Sequence, residues 1–342
     1  MKRILIVSIN WLGDAIMTTP VFKALKDRIP DAYVAVMAHN RVLDVYSENP
    51  YIDEIIAFDE KTSQKGLIAK LRFISLLKHY KFDTVFLLHR SLTRAFICFL
   101  AGIKRRVGYC RGKTNFLITD CVKADKKILH RQDYYLSLFE KAGVKIENTA
   151  YQFFVSEQNK IKANALLENI KSKHSTIIGI HPSANWNLKR WPTEKFAELT
   201  DRLVDKFNYS IVIIGSKADA GTCDYVADST LNKALNLCGK TNLKELAAVI
   251  GNFDLFISND SGPAHLASAM GAKTLVIFGP TSPDITGPRG NNITIIKKNT
   301  ECTIPCYNLD CANNRCIADI TVDEVFEKAV SLYNRCNHIN NK

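Results

Sequence analysis

Short, apolar, β-branched runs recur along this chain, and they restrict its fold more than any other feature. The runs fall at residues 3–9, 33–37, 84–88, 176–180, 210–214, 254–258 and 273–278. They are almost wholly apolar rather than alternating, as expected of parallel strands with both faces buried. Helical periodicity fits between them at residues 15–28, 66–81, 132–142, 193–207, 243–250 and 264–270. The pattern predicts an α/β fold with two doubly wound parallel-sheet domains in tandem.

The domain boundary is predicted near residue 170. The chain has 342 residues, which is enough for two domains of ordinary size. Residues 156–174 are polar and lysine-rich, with a helix leading into a linker. Thr321 and Glu324 have the spacing of a capping box and mark the start of a last helix. We therefore expect domains at 1–170 and 171–320, followed by a C-terminal helix over 321–342.

The positive charge is unevenly distributed. Lys and Arg number 46 against 34 Asp and Glu, a net charge of +12. Residues 1–171 hold 28 basic and 17 acidic residues, a net of +11, which leaves +1 for the rest. The densest run is KRRVGYCRGK at 104–113, and no acidic residue stands between Asp83 and Asp120. The first half should therefore meet an anionic partner: nucleic acid, a phosphorylated sugar or an anionic lipid, with the lack of aromatic interleaving arguing against nucleic acid.

The ten cysteines do not form a disulfide framework. Six are scattered, whereas Cys302, Cys306, Cys311 and Cys316 are clustered. Four thiolates can hold zinc or an iron–sulfur cluster, but without a CxxC pair or a nearby His the favoured interpretation is packed thiols. The first apolar run is too short for a signal peptide, and the longest, 95–103, is about half a membrane span. We expect a cytoplasmic protein with mostly reduced cysteines.

Three nucleotide-handling motifs are absent from the sequence. No two of the 16 glycines stand two residues apart, so a GxGxxG fingerprint is impossible, and there is neither a GxxxxGK stretch nor a DxD pair. These absences argue against a dinucleotide-dependent dehydrogenase, a P-loop ATPase and a metal-dependent sugar transferase.

The most informative segment is NDSGPAHLASAMG, residues 259–271, which follows a strand and opens a helix. At such a turn, free backbone amides and the helix dipole suit a phosphate. Gly262 permits close approach of the backbone, Asp260 can accept from sugar hydroxyls, and His265 lies one turn into the helix. The alternative is that Asp260 and Ser261 merely cap the helix while His265 packs on the sheet.

Two further polar loops follow predicted strands. In HPSANWNLKRWP, residues 181–192, Ser183 and Lys189 are suited to bind a diphosphate without a metal, although a lysine in a loop is commonly only solvated. In SINWLGDAIMTTP, residues 8–20, Gly13 permits a tight turn before Asp14. Asp14 fits either a helix N-cap or a general base at the carboxyl edge of a sheet.

Together, GDAIMTTP, HPSANWNLKRWP and NDSGPAHLASAMG followed by VIFGPTSP resemble glycosyltransferase family 9, the ADP-heptose:lipopolysaccharide heptosyltransferases, in order and over essentially the whole chain. The KRWP form and the cysteine segment resemble the heptosyltransferase II branch. The resemblance implies a GT-B fold: two Rossmann-like domains facing a cleft, the first for the acceptor and the second for the sugar nucleotide, with the C-terminal helix packing back on the first domain. It also implies inverting heptose transfer from ADP-L-glycero-D-manno-heptose to the lipopolysaccharide inner core, without metal or cofactor, at the cytoplasmic face of the inner membrane.

The resemblance also assigns residue roles. Asp14 matches the catalytic base, and Lys189 matches a phosphate-binding lysine that stabilises the departing diphosphate. The implied donor site comprises Ser183, Lys189, Gly215, Ser216, Asp260, Ser261, Gly262 and His265. The expected acceptor side, facing an anionic glycolipid, comprises Gly13, Arg90, Arg94, Lys104, Arg105, Arg106, Arg111 and Lys113. Two rivals stay open: a same-fold transferase that uses another sugar nucleotide for a different surface glycan or glycoprotein, and a non-catalytic binder of nucleic acid or membrane.

Overall fold

The described chain divides into two compact units, Met1–Phe154 and Val155–Lys342, each built on its own sheet. The computed structural model describes residues 1–110, 112–125, 127, 130–171, 176–207, 209–231, 234–306, 308 and 310–337. The two predicted doubly wound parallel-sheet domains are confirmed.

The first unit carries a parallel sheet with helices on its faces. Its strands are β1 (Arg3–Val7), β2 (Tyr33–Ala38), β3 (Glu54–Ala57), β4 (Thr84–Leu87), β5 (Arg105–Tyr109) and β6 (Asp120–Val122). Its helices are α1 (Leu12–Met17), α2 (Pro20–Arg28), α3 (Leu43–Tyr46), α4 (Leu67–Tyr80), α5 (Leu92–Leu100) and α6 (Arg131–Lys141), with short 3-10 helices at Asn40–Val42 and Gly112–Leu117. The strand order is β3-β2-β1-β4-β5-β6. The topological switch point, where such sheets bind ligands, therefore lies between β1 and β4.

Helices α4 and α5 cover the same face of the first sheet. Phe73 and Ile74 of α4, and Ile97 and Cys98 of α5, are buried in one core with Leu5 of β1. Each helix thus buries one side on the sheet and turns the other side outward.

The predicted helix over residues 15–28 is divided into α1 and α2. Pro20 has no backbone amide, so a continuous helix would lose a hydrogen bond at this position. The hydroxyls of Thr18 and Thr19 donate to the carbonyls of Ala15 and Ile16, each at 2.7 Å, and end the first helix.

The second unit has the same sheet topology. Its strands are β7 (Ile177–His181), β8 (Ser210–Ile213), β9 (Leu235–Asn236), β10 (Leu255–Asn259), β11 (Thr274–Phe278) and β12 (Ile293–Lys297). Its helices are α7 (Glu157–Lys171), α8 (Thr193–Phe207), α9 (Ala220–Ser229), α10 (Leu243–Ile250), α11 (Gly262–Ala269), α12 (Pro283–Thr286), α13 (Arg315–Ala318) and α14 (Val322–Asn337), with 3-10 helices at Asn187–Lys189 and Lys217–Asp219. The order β12-β11-β10-β7-β8-β9 places the switch point between β7 and β10.

The contacts of two helices place them in the second unit. α7, expected at the end of the first domain, packs against α10 of the second unit, so the division falls after Phe154 rather than near 170. α14 packs against α8 and the second sheet, with Val325 and Ala329 in that unit's core; that the last helix also packs back on the first domain stays a prediction. Of the predicted linker, residues 172–175 lie outside the described chain, as do residues 338–342 of the last segment. No described helix is long and apolar enough to cross a membrane.

Candidate active site

A charged cluster occupies the switch point of the second unit. Asp260 follows β10 directly, and its carboxylate is almost fully buried. Its Oδ2 accepts from the Lys189 ammonium at 2.6 Å and from the Thr281 hydroxyl at 2.6 Å. The loops after the parallel strands β7, β10 and β11 therefore meet at the Asp260 carboxylate. Asp260 and Lys189 were both predicted, whereas the contribution of Thr281 was not.

Asn259 and Trp191 hold the Lys189 loop against β10. The Asn259 amide donates to the Pro182 carbonyl at 2.9 Å, and its oxygen accepts from the Trp191 backbone amide at 3.0 Å. The Trp191 indole is buried and donates to the Ile320 carbonyl at 2.9 Å. Because the loop is fixed at both the backbone and the indole, the position of Lys189 beside Asp260 is built into the fold.

Asp219 joins two of the predicted donor residues. Its carboxylate accepts from the Ser183 hydroxyl, and from the Ser216 amide at 2.9 Å and the Ser216 hydroxyl at 2.6 Å. Burial alone would raise the pKa of Asp219, but these hydrogen bonds outweigh burial and hold the pKa below its ordinary value. The sequence analysis missed Asp219, although its spacing from Ser216 is that of a capping box.

Gly215 is required by packing at this loop. A Cβ on Gly215 would lie 2.7 Å from the Cys223 sulfur and 3.1 Å from the Cys238 sulfur. The residue before Ser216 therefore has to be glycine for the chain to pass so close to the two thiols.

The amino terminus of α11 lies beside the charged cluster. Ser261 is the N-cap residue, Gly262 is the first helical residue, and His265 is buried one turn in. The Ser261 hydroxyl lies 3.0 Å from that of Ser258 and 3.1 Å from Nδ1 of His181. Burial lowers the pKa of His181 to about 4, so its ring is neutral at pH 7. The second unit thus presents a cation, several hydroxyls and a helix N-terminus together, which suits a diphosphate with attached hydroxyls.

A cavity of about 640 Å³ opens at the switch point of the first unit. Residues from the loops after β1, β2, β3 and β4 and from α6 line it: Ile9, Asn10, Trp11, Asp14, His39, Arg41, Asp59, Glu60, Lys61, Leu88, His89, Arg90, Arg94, Arg131, Tyr134 and Tyr135. Five Arg or Lys side chains stand beside three carboxylates in this lining, so the cavity suits a polar ligand with anionic groups.

Asp14 is held by two side chains of α6. The carboxylate is 8% exposed and belongs to the first turn of α1, whose N-cap residue is Trp11. Nη1 of Arg131 lies 3.3 Å from both carboxylate oxygens, and the Tyr135 hydroxyl donates to Oδ1 at 3.1 Å. Burial, and next the charge of Asp14, raise the pKa of Tyr135, so this hydroxyl keeps its proton and remains a donor. Asp14 is therefore not an N-cap, and its orientation is fixed from outside its own helix.

The structure separates the predicted acceptor residues into two groups. Gly13 lies in α1 beside Asp14, and Arg90 and Arg94 line the cavity. The Arg90 guanidinium lies 5.1 Å from the centre of the Tyr134 ring. Arg94 is buried and donates to the Ser8 carbonyl and to Asn10, both at 3.1 Å, so it chiefly supports the loop after β1.

Lys104, Arg105 and Arg106 lie at the opposite edge of the first sheet. Lys104 precedes β5, and Arg105 and Arg106 are the first two residues of that strand, whereas the cavity faces the carboxyl ends of β1 and β4. Arg105 donates to Asp120 at 2.5 Å, and Arg106 donates to the carbonyls of Leu117 and Ile103. These three side chains therefore lie away from this cavity, because a run of charge does not reveal which end of a strand it occupies; that they contact the acceptor stays a prediction. Arg111 and the side chain of Lys113 lie outside the described residues.

The described cysteines form one disulfide pair and a set of free thiols. Cys110, just after β5, and Cys121, in β6, are joined by a disulfide that the sequence analysis did not predict. The free thiols are Cys98, Cys223, Cys238, Cys302, Cys306, Cys311 and Cys316. Burial raises the pKa of Cys316, as do the neighbouring Cys302 and Cys311. Within the described ranges, no group of three or more His, Cys, Asp or Glu side chains is arranged to hold a metal ion.

Comparison with known proteins gives one consistent family. The family model described as glycosyltransferase family 9 (heptosyltransferase) matches residues 70–316. Lipopolysaccharide heptosyltransferase 2 of Escherichia coli (strain K12) is 28% identical over 307 residues, 86% of this chain and 88% of that protein. The structure of E. coli ADP-heptose lipopolysaccharide heptosyltransferase II is 27% identical with a TM-score of 0.81, covering 98% of this chain and all of that one. The fold of a family 9 glycosyltransferase from Veillonella parvula matches with a TM-score of 0.90 at 23% identity, over 98% of both chains.

Proposed function

The chain belongs to glycosyltransferase family 9, and from this premise we propose that it transfers a heptose from ADP-L-glycero-D-manno-heptose to the inner core of lipopolysaccharide. We further propose that the transfer inverts the anomeric carbon, needs no metal, and takes place at the cytoplasmic face of the inner membrane. The carrying observation is the cluster of Lys189, Asp260 and Thr281 at the start of α11, in a chain of this family. In the proposed reaction Lys189 would supply the positive charge that a divalent cation supplies in a metal-dependent transferase.

The second unit is proposed to bind the sugar nucleotide. Lys189 and the amino terminus of α11 would hold the diphosphate, and Asp260 would accept from hydroxyls of the sugar. Lys189 is paired with Asp260 at 2.6 Å, so its ammonium is already held in place before the ligand arrives. A positioned cation loses little freedom on binding, which favours stabilisation of the charge that develops on leaving ADP.

The first unit is proposed to bind the acceptor and to supply the base. The acceptor hydroxyl oxygen would bond to the anomeric carbon as the bond from that carbon to the diphosphate oxygen breaks, its electron pair leaving with ADP. Asp14 would take the hydroxyl proton, and Arg131 and Tyr135 would keep its carboxylate oriented. Arg90 lines the same cavity and suits the anionic groups of the inner core.

The base assignment is tested by Asp14→Ala. We expect the variant to bind ADP as the wild type does, because Asp14 lies in the first unit, and to lose roughly a hundredfold or more in turnover. The matched control is Asp27→Ala, which removes an exposed carboxylate of the same unit that pairs with Lys23. Turnover of Asp14→Ala equal to that of Asp27→Ala would remove Asp14 from the base role.

The nucleotide is tested by thermal shift with ADP, UDP and GDP. A ligand present at about a hundred times its dissociation constant stabilises the folded state by about 2.7 kcal/mol, a shift that is readily measured. The proposal predicts the largest shift with ADP. A clear preference for UDP or GDP would instead favour the same-fold transferase that uses another sugar nucleotide.

A further inference from the structure

One surface of α5 is apolar and faces solvent. Leu92, Phe96, Phe99 and Leu100 recur at the spacing of a single helical face, and all four are exposed. The opposite face of α5 is also apolar, because it packs on the first sheet. Apart from Thr93 and Arg94, α5 is made of apolar residues, and four of its nine residues are exposed large apolar side chains. An exposed apolar helix face of this kind is unusual in a monomer and calls for a partner.

Neighbouring elements extend this surface. α4 packs against α5 and exposes Leu67, Ile68 and Leu71 in its first turns, Leu67 being 75% exposed. The 3-10 helix Gly112–Leu117 also packs against α5 and exposes 73% of Phe116. We call the exposed side chains of these three elements the α4–α5 face: Leu67, Ile68, Leu71, Leu92, Phe96, Phe99, Leu100 and Phe116.

The charge around the α4–α5 face is almost wholly positive. Residues 61–119 contain 13 Lys or Arg and one acidic residue, Asp83. The Asp83 carboxylate is already engaged by the backbone amides of Lys2 and Arg3. Arg72 and Lys78 of α4 are exposed, and the Arg106 guanidinium lies 5.2 Å from the centre of the Phe99 ring. Arg94 and Arg105 pair with Glu60 and Asp120, which lie just outside this segment. Apolar side chains amid an excess of cations are the composition of an interfacial membrane-binding surface.

We propose that the α4–α5 face docks on the surface of an anionic lipid bilayer, with its Leu and Phe side chains among the upper acyl chains and its cations among the headgroups. A second copy of this chain is the less suitable occupant. A two-fold contact through this face would bring two strongly positive surfaces together, and like charges repel. A bilayer of negative charge complements both properties of the face at once.

This assignment goes beyond the transfer reaction and rests on the proposed function only in placing a lipid-anchored acceptor in the same bilayer. It names which surface of the first unit meets the membrane, and binding can be measured without any acceptor.

The test is cosedimentation of the full chain with vesicles of phosphatidylethanolamine and phosphatidylglycerol, compared with pure phosphatidylcholine. The wild type should bind the anionic vesicles, with affinity falling as salt rises. Phe96→Ser combined with Phe99→Ser should weaken binding about tenfold or more, since each buried aromatic side chain contributes apolar area. The matched control is Leu231→Ser, which removes an 89% exposed leucine of the second unit and should bind as the wild type does.

Two further double variants control for misfolding of the Phe96→Ser, Phe99→Ser variant. Leu67→Ser with Ile68→Ser alters α4 alone, and Arg72→Glu with Lys78→Glu alters only charge, so each should weaken binding while the melting temperature stays within a few degrees of wild type. Equal vesicle binding by the wild type and all three variant pairs would overturn the proposal. The proposal would also be overturned if the wild type bound no vesicles and instead formed a dimer that the Phe96→Ser, Phe99→Ser variant does not form.

Activity separates this proposal from the proposed function. The Phe96→Ser, Phe99→Ser variant should turn over a delipidated, water-soluble acceptor at the wild-type rate and an acceptor embedded in anionic vesicles at a rate reduced about tenfold. Equal rates on the embedded acceptor would contradict the docking surface. No turnover of either acceptor by the wild type would contradict the proposed function and leave the vesicle-binding result standing.

Discussion

Asp14 depends on two side chains that stand far from it in the sequence. Arg131 and Tyr135 contribute a guanidinium and a phenol to one almost buried carboxylate. A hydrogen bond to a charged group contributes about 1.5–3 kcal/mol, and a base must also point at the proton that it removes. These contacts therefore affect the direction of the carboxylate as well as its stability.

Tyr135→Phe should lower kcat about tenfold while the KM for the sugar nucleotide stays within about twofold. The ring remains, and only the hydroxyl that donates to Asp14 is lost. Tyr134→Phe, which keeps the ring that stacks on Tyr109, is the control and should keep wild-type kcat. Steady-state kinetics with pH profiles of both variants checks this, and a wild-type kcat in Tyr135→Phe would show that the hydroxyl does not position the base.

Lys189→Met should destabilise the second unit as well as weaken ADP binding. The methionine leaves the Asp260 carboxylate, which is 5% exposed, with the Thr281 hydroxyl but without its cation. We expect a cost of about 1–3 kcal/mol in the free energy of unfolding. In Lys189→Met with Asp260→Asn the stability cost should be smaller than the sum of the single changes. Strict additivity in denaturant unfolding would contradict the coupling of the two residues.

Residues near a strand end were predictable, and residues from distant elements were not. Lys189 and Asp260 follow strands that the apolar runs located, and the topology brings such loops together. Arg131 and Tyr135 reach Asp14 from 117 and 121 residues away, a separation that leaves no local pattern. The spacing of Asp219 from Ser216 was a local signal, but the same spacing is equally consistent with a simple helix cap.

At the scale of elements, the centre of the second sheet is packed so closely at Gly179 that one added methyl group does not fit. Gly179 lies in β7, which is paired to β8 on one side and to β10 on the other. A Cβ at this position would lie 2.1 Å from the Phe253 ring. The ring fills the space that a side chain would need, so the glycine is fixed by packing rather than by backbone conformation.

Gly179→Ala should therefore destabilise the second unit by about 1–3 kcal/mol, because the Phe253 ring has to move. Gly221→Ala is the matched control, since its Cβ meets nothing within 4 Å and it lies in α9. Alanine is the better helix former, so the control should be neutral or slightly stabilising. Thermal or denaturant unfolding measures the stability of both variants. Equal stability of Gly179→Ala and Gly221→Ala would contradict close packing of the Phe253 ring against Gly179.

Element types were easier to predict than element ends. The apolar runs gave the central strands of both sheets, whereas β3, β5, β6 and β9 are short, charged or partly exposed. β12 is an apolar run that was not among the predicted strands. Periodicity gave α8 and α10 at their observed bounds. It also joined α1 to α2, because the residues on either side of Pro20 keep the same apolar spacing although the hydrogen bonding is broken there.

At the scale of the whole molecule, each unit carries a neutral histidine at the carboxyl edge of its sheet, half-buried His89 in the first unit and buried His181 in the second. Burial lowers the pKa of His89 and of His181 to about 4. An unfolded histidine titrates near 6.5, so between about pH 6.5 and pH 4 the unfolded chain binds protons that the folded units do not. Stability should therefore fall as the pH drops through this window.

His181→Gln should reduce this pH dependence in the second unit. For the wild type we expect a loss on the order of 3 kcal/mol from His181 as the pH falls from about 7 to about 4. The variant should start less stable at pH 7 and show a smaller change over the same range. Urea unfolding at several pH values tests this, and identical slopes against pH for both proteins would contradict a neutral buried His181.

The proposed heptose transfer is tested most directly by incubating the purified chain with ADP-L-glycero-D-manno-heptose and an acceptor, without added metal and with a chelator present. The two acceptors to compare are Kdo-lipid A and the same glycolipid carrying one heptose. Mass spectrometry should find one added heptose on one of the acceptors, together with released ADP, and Asp14→Ala should form both products roughly a hundredfold or more slowly. Absence of a heptosylated product from both acceptors with the wild-type chain would contradict the proposed function.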